Sequence, residues 1–270
     1  MKITFLGGGN MANALIGGML KQGFAAADIT VIDPGSEARE RLQQTYGLRC
    51  LCDAAELDDA GELLVLAVKP QQMQKACEPL IGKLGSALAL SIAAGLNLAA
   101  LSRFLGGHRR IVRAMPNTPA LIGAGITGLC ALPEVDAAGR AAADRVLAAV
   151  GSTLWIHDEM QMDGVTALSG SGPAYVFLFI EALQQAAAEL GFTPDEGRQL
   201  AIETVQGAAA LAAQSSESAA ALRERVTSKG GTTEAALRVM MDSGVKDGIV
   251  AGVKAAEARG RELGKLLGGD

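Results

Sequence analysis

The chain has 270 residues, 49% of them apolar but only 3% aromatic, and a formal net charge of −5. That length accommodates two domains with sizeable cores, made chiefly of Ala, Leu, Val, Ile and Met. The acidic balance and the absence of any long Lys/Arg block argue against nucleic acid as the main partner; His108-Arg109-Arg110 is the densest basic spot. Cys50, Cys52, Cys77 and Cys130, with only two histidines, match no zinc framework and read as reduced thiols of a cytosolic protein. The start "MKITFLGGGNM" lacks the apolar stretch and cleavage site of a signal peptide. The most apolar later run, Val176 to Ile180, is stopped by Glu181, far short of a bilayer span.

In chain order, 2–6 reads as a short strand and 10–22 as a helix. Residues 29–32 form a second strand and 36–46 a second helix, with Ser36 placed as its N-cap. "ELLVLAVKP" (62–70) is a continuous apolar run stopped by Pro70, as in a strand buried on both faces. A helix over 71–84 follows, then strands at 87–95, 109–117, 125–132 and 152–156, with a helix near 136–150 between the last two. Alternating strands and helices predict an α/β Rossmann-like domain with a parallel sheet. After about 158 the alternation stops. Helices are expected at 160–168, 172–190, 194–214, 218–227, 232–242 and 246–266. This divides the chain into a dinucleotide-binding domain, 1–158, and an all-α substrate-binding and dimerisation domain, 159–270. The helix from Pro173 is apolar nearly all round through Leu183 and must be covered on every side, which predicts a homodimer built from the C-terminal helices.

Several motifs point to chemistry. "GGGNMA" (7–12) contains G-x-G-x-x-A between a strand and a helix. Gly7 permits the tight turn, Gly9 lets backbone approach a pyrophosphate, and the helix N-terminus supplies amide donors. Asp33, ending the second strand, stands where a carboxylate accepts from an adenosine ribose and favours NAD; Ser36 and Arg39 just beyond it suit a 2′-phosphate. "AVKPQ" (67–71) and "SIAAG" (91–95) lie at carboxyl ends of strands, the edge where ligands sit. "RAMPNTPA" (113–120) reads equally as a rigid turn or as a rim for nicotinamide or substrate. "SGSGP" (169–173) is expected to leave bare amides at a helix start beginning with Pro173. Ser228, Gly230, Gly231, Thr232 and Thr233 precede the amphipathic "EAALRVM", with Leu237 and Met240 facing inward. One threonine would cap that helix, and the glycine pair exceeds what capping needs.

Together and in this order, "GGGNMANALIGGML", "AVKP", "SIAAG", "RAMPNTPA", "SGSGPAYVFLFIEAL" and "SKGGTTEAALRVM" resemble bacterial pyrroline-5-carboxylate reductases over almost the whole chain. The resemblance implies reduction of the C=N bond of L-1-pyrroline-5-carboxylate to L-proline, the last step of proline biosynthesis, with NADPH or NADH. It implies dimers that commonly assemble further into a decamer in the cytoplasm. It places the cofactor against Leu6, Gly7, Gly8, Gly9, Asn10, Met11, Asp33, Ser36, Ala67, Val68, Lys69, Pro70, Ser91, Ala93, Ala94, Met115 and Asn117. It places the substrate, often held by the partner subunit's loop, against Ser228, Gly230, Gly231, Thr232, Thr233 and Glu159, with Thr233 catalytic. Two positions depart from the family pattern: NADP-using members often carry a small polar residue at Asp33, and the adenine-side Asn is replaced by Ala54.

The inventory fits hydride transfer. Neither His108 nor His157 lies in a motif and no Ser/His/Asp or Cys/His arrangement is present, so a hydrolase or acyl transferase would lack parts. A β-hydroxyacid dehydrogenase would carry a Lys on the helix after its Gly-rich segment, and none occurs from Gly172 through Leu190. A non-catalytic nucleotide-sensing protein would not need small-residue clefts at 91–95, 169–173 and 230–233.

Overall fold

The computed structural model describes residues 1–268. β1 (Ile3–Leu6), β2 (Ile29–Ile32), β3 (Arg49–Leu51), β4 (Leu63–Leu66), β5 (Leu88–Ser91), β6 (Ile111–Met115), β7 (Gly125–Ala131) and β8 (Gly151–Trp155) form one sheet ordered β3-β2-β1-β4-β5-β6-β7-β8. From β1 the chain builds outward on one side through β2 and on the other through β4. The crevice at the carboxyl ends of β1 and β4 is therefore the topological switch point, where an open α/β sheet binds its ligand. Side chains alternate across the sheet. Ile3, Phe5, Val31, Leu63 and Val65 pack with Leu15, Ile16 and Met19 of α1 (Asn10–Lys21) in one core layer. Leu6, Ile32, Leu64 and Leu66 enter the other.

The remaining elements of this part are α2 (Ser36–Tyr46), α3 (Met73–Cys77), α4 (Leu98–Phe104), α5 (Ala137–Leu147) and α6 (Met162–Val165). Several differ from the sequence expectation. β3 and α4 are both too short to show a periodicity. The helix expected over 71–84 splits into a 3-10 turn, the five residues of α3, and a second 3-10 turn at Glu78–Leu80, where Pro79 lacks the amide that a continuing helix needs. β6 and β7 pair antiparallel, breaking the all-parallel expectation, because the nine residues 116–124 between them cannot hold a crossover helix. Gly35, not Ser36, is the N-cap of α2. A π-helical turn at Thr166–Gly170 follows α6.

The chain forms two compact units, Met1–Ser171 together with the chain from Ala256, and Gly172–Ala255. The second contains α7 (Gly172–Glu189), α8 (Pro194–Gln214), α9 (Ala219–Arg225), α10 (Thr232–Asp242) and the start of α11 (Val245–Gly268). Thr193 opens α8 through a reciprocal cap with Glu196. Within this unit α7 stays uncovered: Phe177 is 66% exposed, and Val176, Leu178 and Phe179 are exposed beside it. The helical run Glu159–Glu189 is long and apolar enough to cross a membrane by length and composition alone.

Candidate active site

β1 delivers the chain to Gly7, whose φ of +105° only glycine adopts readily; a Cβ there would lie 2.7 Å from the carbonyl oxygen of Ala67 after β4. The glycine therefore lets the β1 and β4 exits touch. Gly9 is the N-cap of α1, with no side-chain cap and open space where a Cβ would point. Bare first-turn amides facing open space suit a pyrophosphate. Leu6 is buried in the sheet, while Asn10 is exposed and Met11 half-buried at the start of α1.

Asp33 spans the loop: Gly8 N–H donates to its Oδ2 at 2.7 Å and Gly35 N–H to its Oδ1 at 2.8 Å. Two guanidinium groups of α2 stand beside it. Arg39 donates to the Asp33 carbonyl at 2.7 Å, and Arg41 to the Gly8 carbonyl at 3.0 Å. Arg41 was missed by sequence reasoning. Its only signal is its place on α2, and the approach of α2 to the glycine loop is a tertiary fact. Ser36 is exposed at the first position of α2.

Further along the same sheet edge, Ala67 and Val68 are half-buried, Lys69 is exposed, and Pro70 starts a 3-10 turn capped by Lys69. Ser91 is wholly buried and its hydroxyl accepts from Ala93 N–H at 3.3 Å, so it braces its own turn. Ala93 is buried and Ala94 exposed. Met115 is half-buried, and Asn117 is 9% exposed. Asn117 donates to the Ser169 carbonyl at 3.2 Å and accepts from Ile126 N–H at 2.9 Å. Its amide thus ties the turn after β6 to β7 and to the π-helical turn.

Two expectations about helix starts change. Residues 169–171 do not present a bare start: Ser171 N–H already donates to Thr166 O at 2.8 Å in the π-helical turn. The small residue is needed instead at Gly170, where a Cβ would come within 2.8 Å of Met115 Cε. In α10 neither threonine caps. Gly231 is the N-cap, with no side-chain cap, and Thr232 is already helical. Gly230 has a φ of +72°, and its amide donates to Glu234 Oε2 at 2.7 Å. A Cβ on Gly231 would lie 2.6 Å from Ser228 Oγ, so only glycine lets the serine hydroxyl fold over the loop. Thr232 is exposed and Thr233 half-buried; Leu237 is half-buried, but Met240 is exposed.

Glu159 lies in a half-buried ionic cluster around the buried Arg113. Its Oε1 accepts from Arg113, only 6% exposed, at 2.8 Å and from Leu98 N–H at 2.7 Å. Asp163 lies 4.0 Å from the same guanidinium, and burial pushes its carboxyl above the usual range despite Arg113. Burial pushes the Cys77 and Cys130 thiols up to about 12, which leaves them protonated and unreactive at neutral pH.

The comparisons with known proteins bear on both parts of the chain. Residues 159–263 match the family described as pyrroline-5-carboxylate reductase dimerisation, and residues 2–95 match the one described as NADP oxidoreductase coenzyme F420-dependent. A pyrroline-5-carboxylate reductase of Pseudomonas aeruginosa is 43% identical over 268 residues, 99% of this chain and 98% of that protein. The chain belongs to the pyrroline-5-carboxylate reductase family. A solved reductase of this family from Coxiella burnetii superposes with a TM-score of 0.90 at 38% identity, covering 97% of this chain and 98% of that one. The Plasmodium falciparum pyrroline carboxylate reductase, solved with NADP bound, gives 0.87 at 28% identity over 98% of both chains. As a pyrroline-5-carboxylate reductase family member the chain is an NAD(P)-dependent oxidoreductase, with a Rossmann-like first domain and a helical dimerisation domain.

Proposed function

We propose that this chain reduces L-1-pyrroline-5-carboxylate to L-proline with NADPH or NADH, the final step of proline biosynthesis, and that it holds the substrate at the start of α10. The observation that carries the assignment of the substrate loop is the unused N-terminus of α10. Two hydroxyls stand beside it, yet the cap is a glycine and the first-turn amides have no side-chain acceptor. That end has a partial positive charge and free donors, which suits the substrate carboxylate. Because Gly231 N–H already donates to the Ser228 carbonyl at 3.0 Å, the amides of Thr232 and Thr233 bind that carboxylate, Ser228 and Thr232 line the loop, and the Thr233 hydroxyl donates to the ring nitrogen. A nicotinamide held here would supply the hydride to the C=N carbon, and the nitrogen, hydrogen-bonded by Thr233, would take its proton from solvent. This chain's residues contribute position, and holding two reactants in register removes on the order of 7–11 kcal/mol of barrier at best.

The pyrophosphate is held at Gly7 to Met11, with Leu6 beneath it. Ala67 to Pro70, Ser91 to Ala94, Met115 and Asn117 form the walls, several of them through backbone. Around Asp33 two guanidinium groups bind the neighbouring carbonyls of Asp33 and Gly8, while the Asp33 carboxylate oxygens already accept from Gly8 and Gly35. That balance favours a 2′-phosphate, with Ser36 as a further donor. The functional division runs at 158/159. The dimer forms through the uncovered helices of the second domain and assembles further to a decamer. A cytoplasmic location suits its free thiols, of which Cys52 is exposed.

The test mixes purified chain with L-1-pyrroline-5-carboxylate and NADPH and follows the nicotinamide absorbance. Proline formation with loss of absorbance is expected, and kcat/KM should be higher with NADPH than with NADH. No oxidation of either cofactor would remove the functional reading; a preference for NADH would remove only the account of Asp33, Arg39 and Arg41.

A further inference from the structure

The last turns of α11 carry glycines at 260, 264 and 268, four residues apart and hence on one helix face. No step of the proposed reaction uses them. These turns belong to the first compact unit and run close to other backbone there. A Cβ on Gly260 would meet the Asp163 carboxylate at 3.4 Å, and one on Gly264 would stand 3.5 Å from the carbonyl oxygen of Gly95. Leu267 Cδ1 lies 3.2 Å from where a Cβ on Gly95 would sit. Leu267 packs against the core layer that includes Ala93, Leu96 and Leu98. Arg103 of α4 donates to the carbonyl of Gly268. The helix is thus fastened at successive turns along the segment from β5 to α4.

Gly95 closes "SIAAG", the loop read above as lining the cofactor. That loop has few ties of its own: Ile92 N–H donates to Leu66 O, and Ala93 N–H to the Ser91 hydroxyl. A loop that is ordered before binding spares the ligand the cost of ordering it. We infer that the C-terminal turns of α11 are a positioning element of the cofactor site, with Leu267 the positioning residue that acts through Gly95. The Gly264 turn runs within van der Waals reach of the Gly95 carbonyl, and Leu267 holds the loop from behind. The inference rests on the reading of residues 91–95 as cofactor-facing.

Leu267→Ala and Leu267→Met in the full chain test it, with NADPH affinity read by nicotinamide fluorescence in the absence of substrate and steady-state kinetics alongside. Leu267→Ala should raise the NADPH Kd and KM about three- to tenfold and leave the KM for pyrroline-5-carboxylate within about twofold. Leu267→Met should restore both, because Met refills the same space. Gly264→Leu, which pushes the helix from the Gly95 carbonyl while removing no apolar contact, should raise the same Kd and covers the case in which Leu267→Ala fails to fold. An unchanged NADPH Kd with only a lower Tm makes the helix a mere strut and overturns the inference, as does a loss of affinity that Met does not restore. Because Kd is read without substrate, absence of proline formation would remove the functional reading and leave this result intact.

Discussion

In the proposed reaction a single hydroxyl, that of Thr233, makes the contact to the imine nitrogen. With Gly231 as the N-cap of α10, neither Thr232 nor Thr233 is needed to start the helix. The half-buried Thr233 is therefore available for the imine nitrogen. Thr233→Val keeps the shape and removes the donor. It should lower kcat/KM for pyrroline-5-carboxylate at least about tenfold while the NADPH Kd stays within about twofold, read by steady-state kinetics and fluorescence titration. Gly7 was legible in the sequence for the right reason, since a turn after β1 needs a left-handed residue. Asp33 was legible by position, but its engagement with the Gly8 amide was not. Side-chain hydrogen bonds between segments 25 residues apart leave no local pattern.

At the scale of elements, long periodic helices and apolar strand runs were readable, and short pieces set by caps were not. α4 has seven residues, and Asn97 starts it by accepting from Ala100 N–H at 2.7 Å. Asn97→Ala should cost about 1 kcal/mol and lower the Tm by a few degrees in a thermal melt. The same helix receives Glu159 at the Leu98 amide and offers Arg103 to the end of α11, so one short element ties to two distant segments. The π-helical turn at Thr166–Gly170 was equally hidden: "SGSGP" reads as a helix start, and the chain is already helical there. Local residues cannot report that Met115 needs the space at Gly170.

At the scale of the molecule, the second unit leaves its most apolar helix bare, with Phe177 66% and Phe179 48% exposed. Apolar surface of that kind on a dimerisation domain suits the face that, under the proposed reading, a second copy covers. Phe177→Asp buries a charge at that face and should convert the assembly to smaller species by light scattering, with activity falling as the oligomer dissociates. The same exposed face explains why the run Glu159–Glu189 has the composition of a membrane span in a family with a dimerisation domain.

The division into an alternating first part and a helical remainder, the glycine-rich turn after the first strand, and the reaction class were all determined by the sequence alone. Hydrophobic period and glycine spacing are local properties, written in consecutive residues. The antiparallel turn of β6 and β7, the guanidinium pair beside Asp33, the commitment of Asn117 and Glu159 to distant backbone, and the seat of Leu267 beside Gly95 were decided only by tertiary structure. Each depends on which segments meet, and that is settled by packing the whole core.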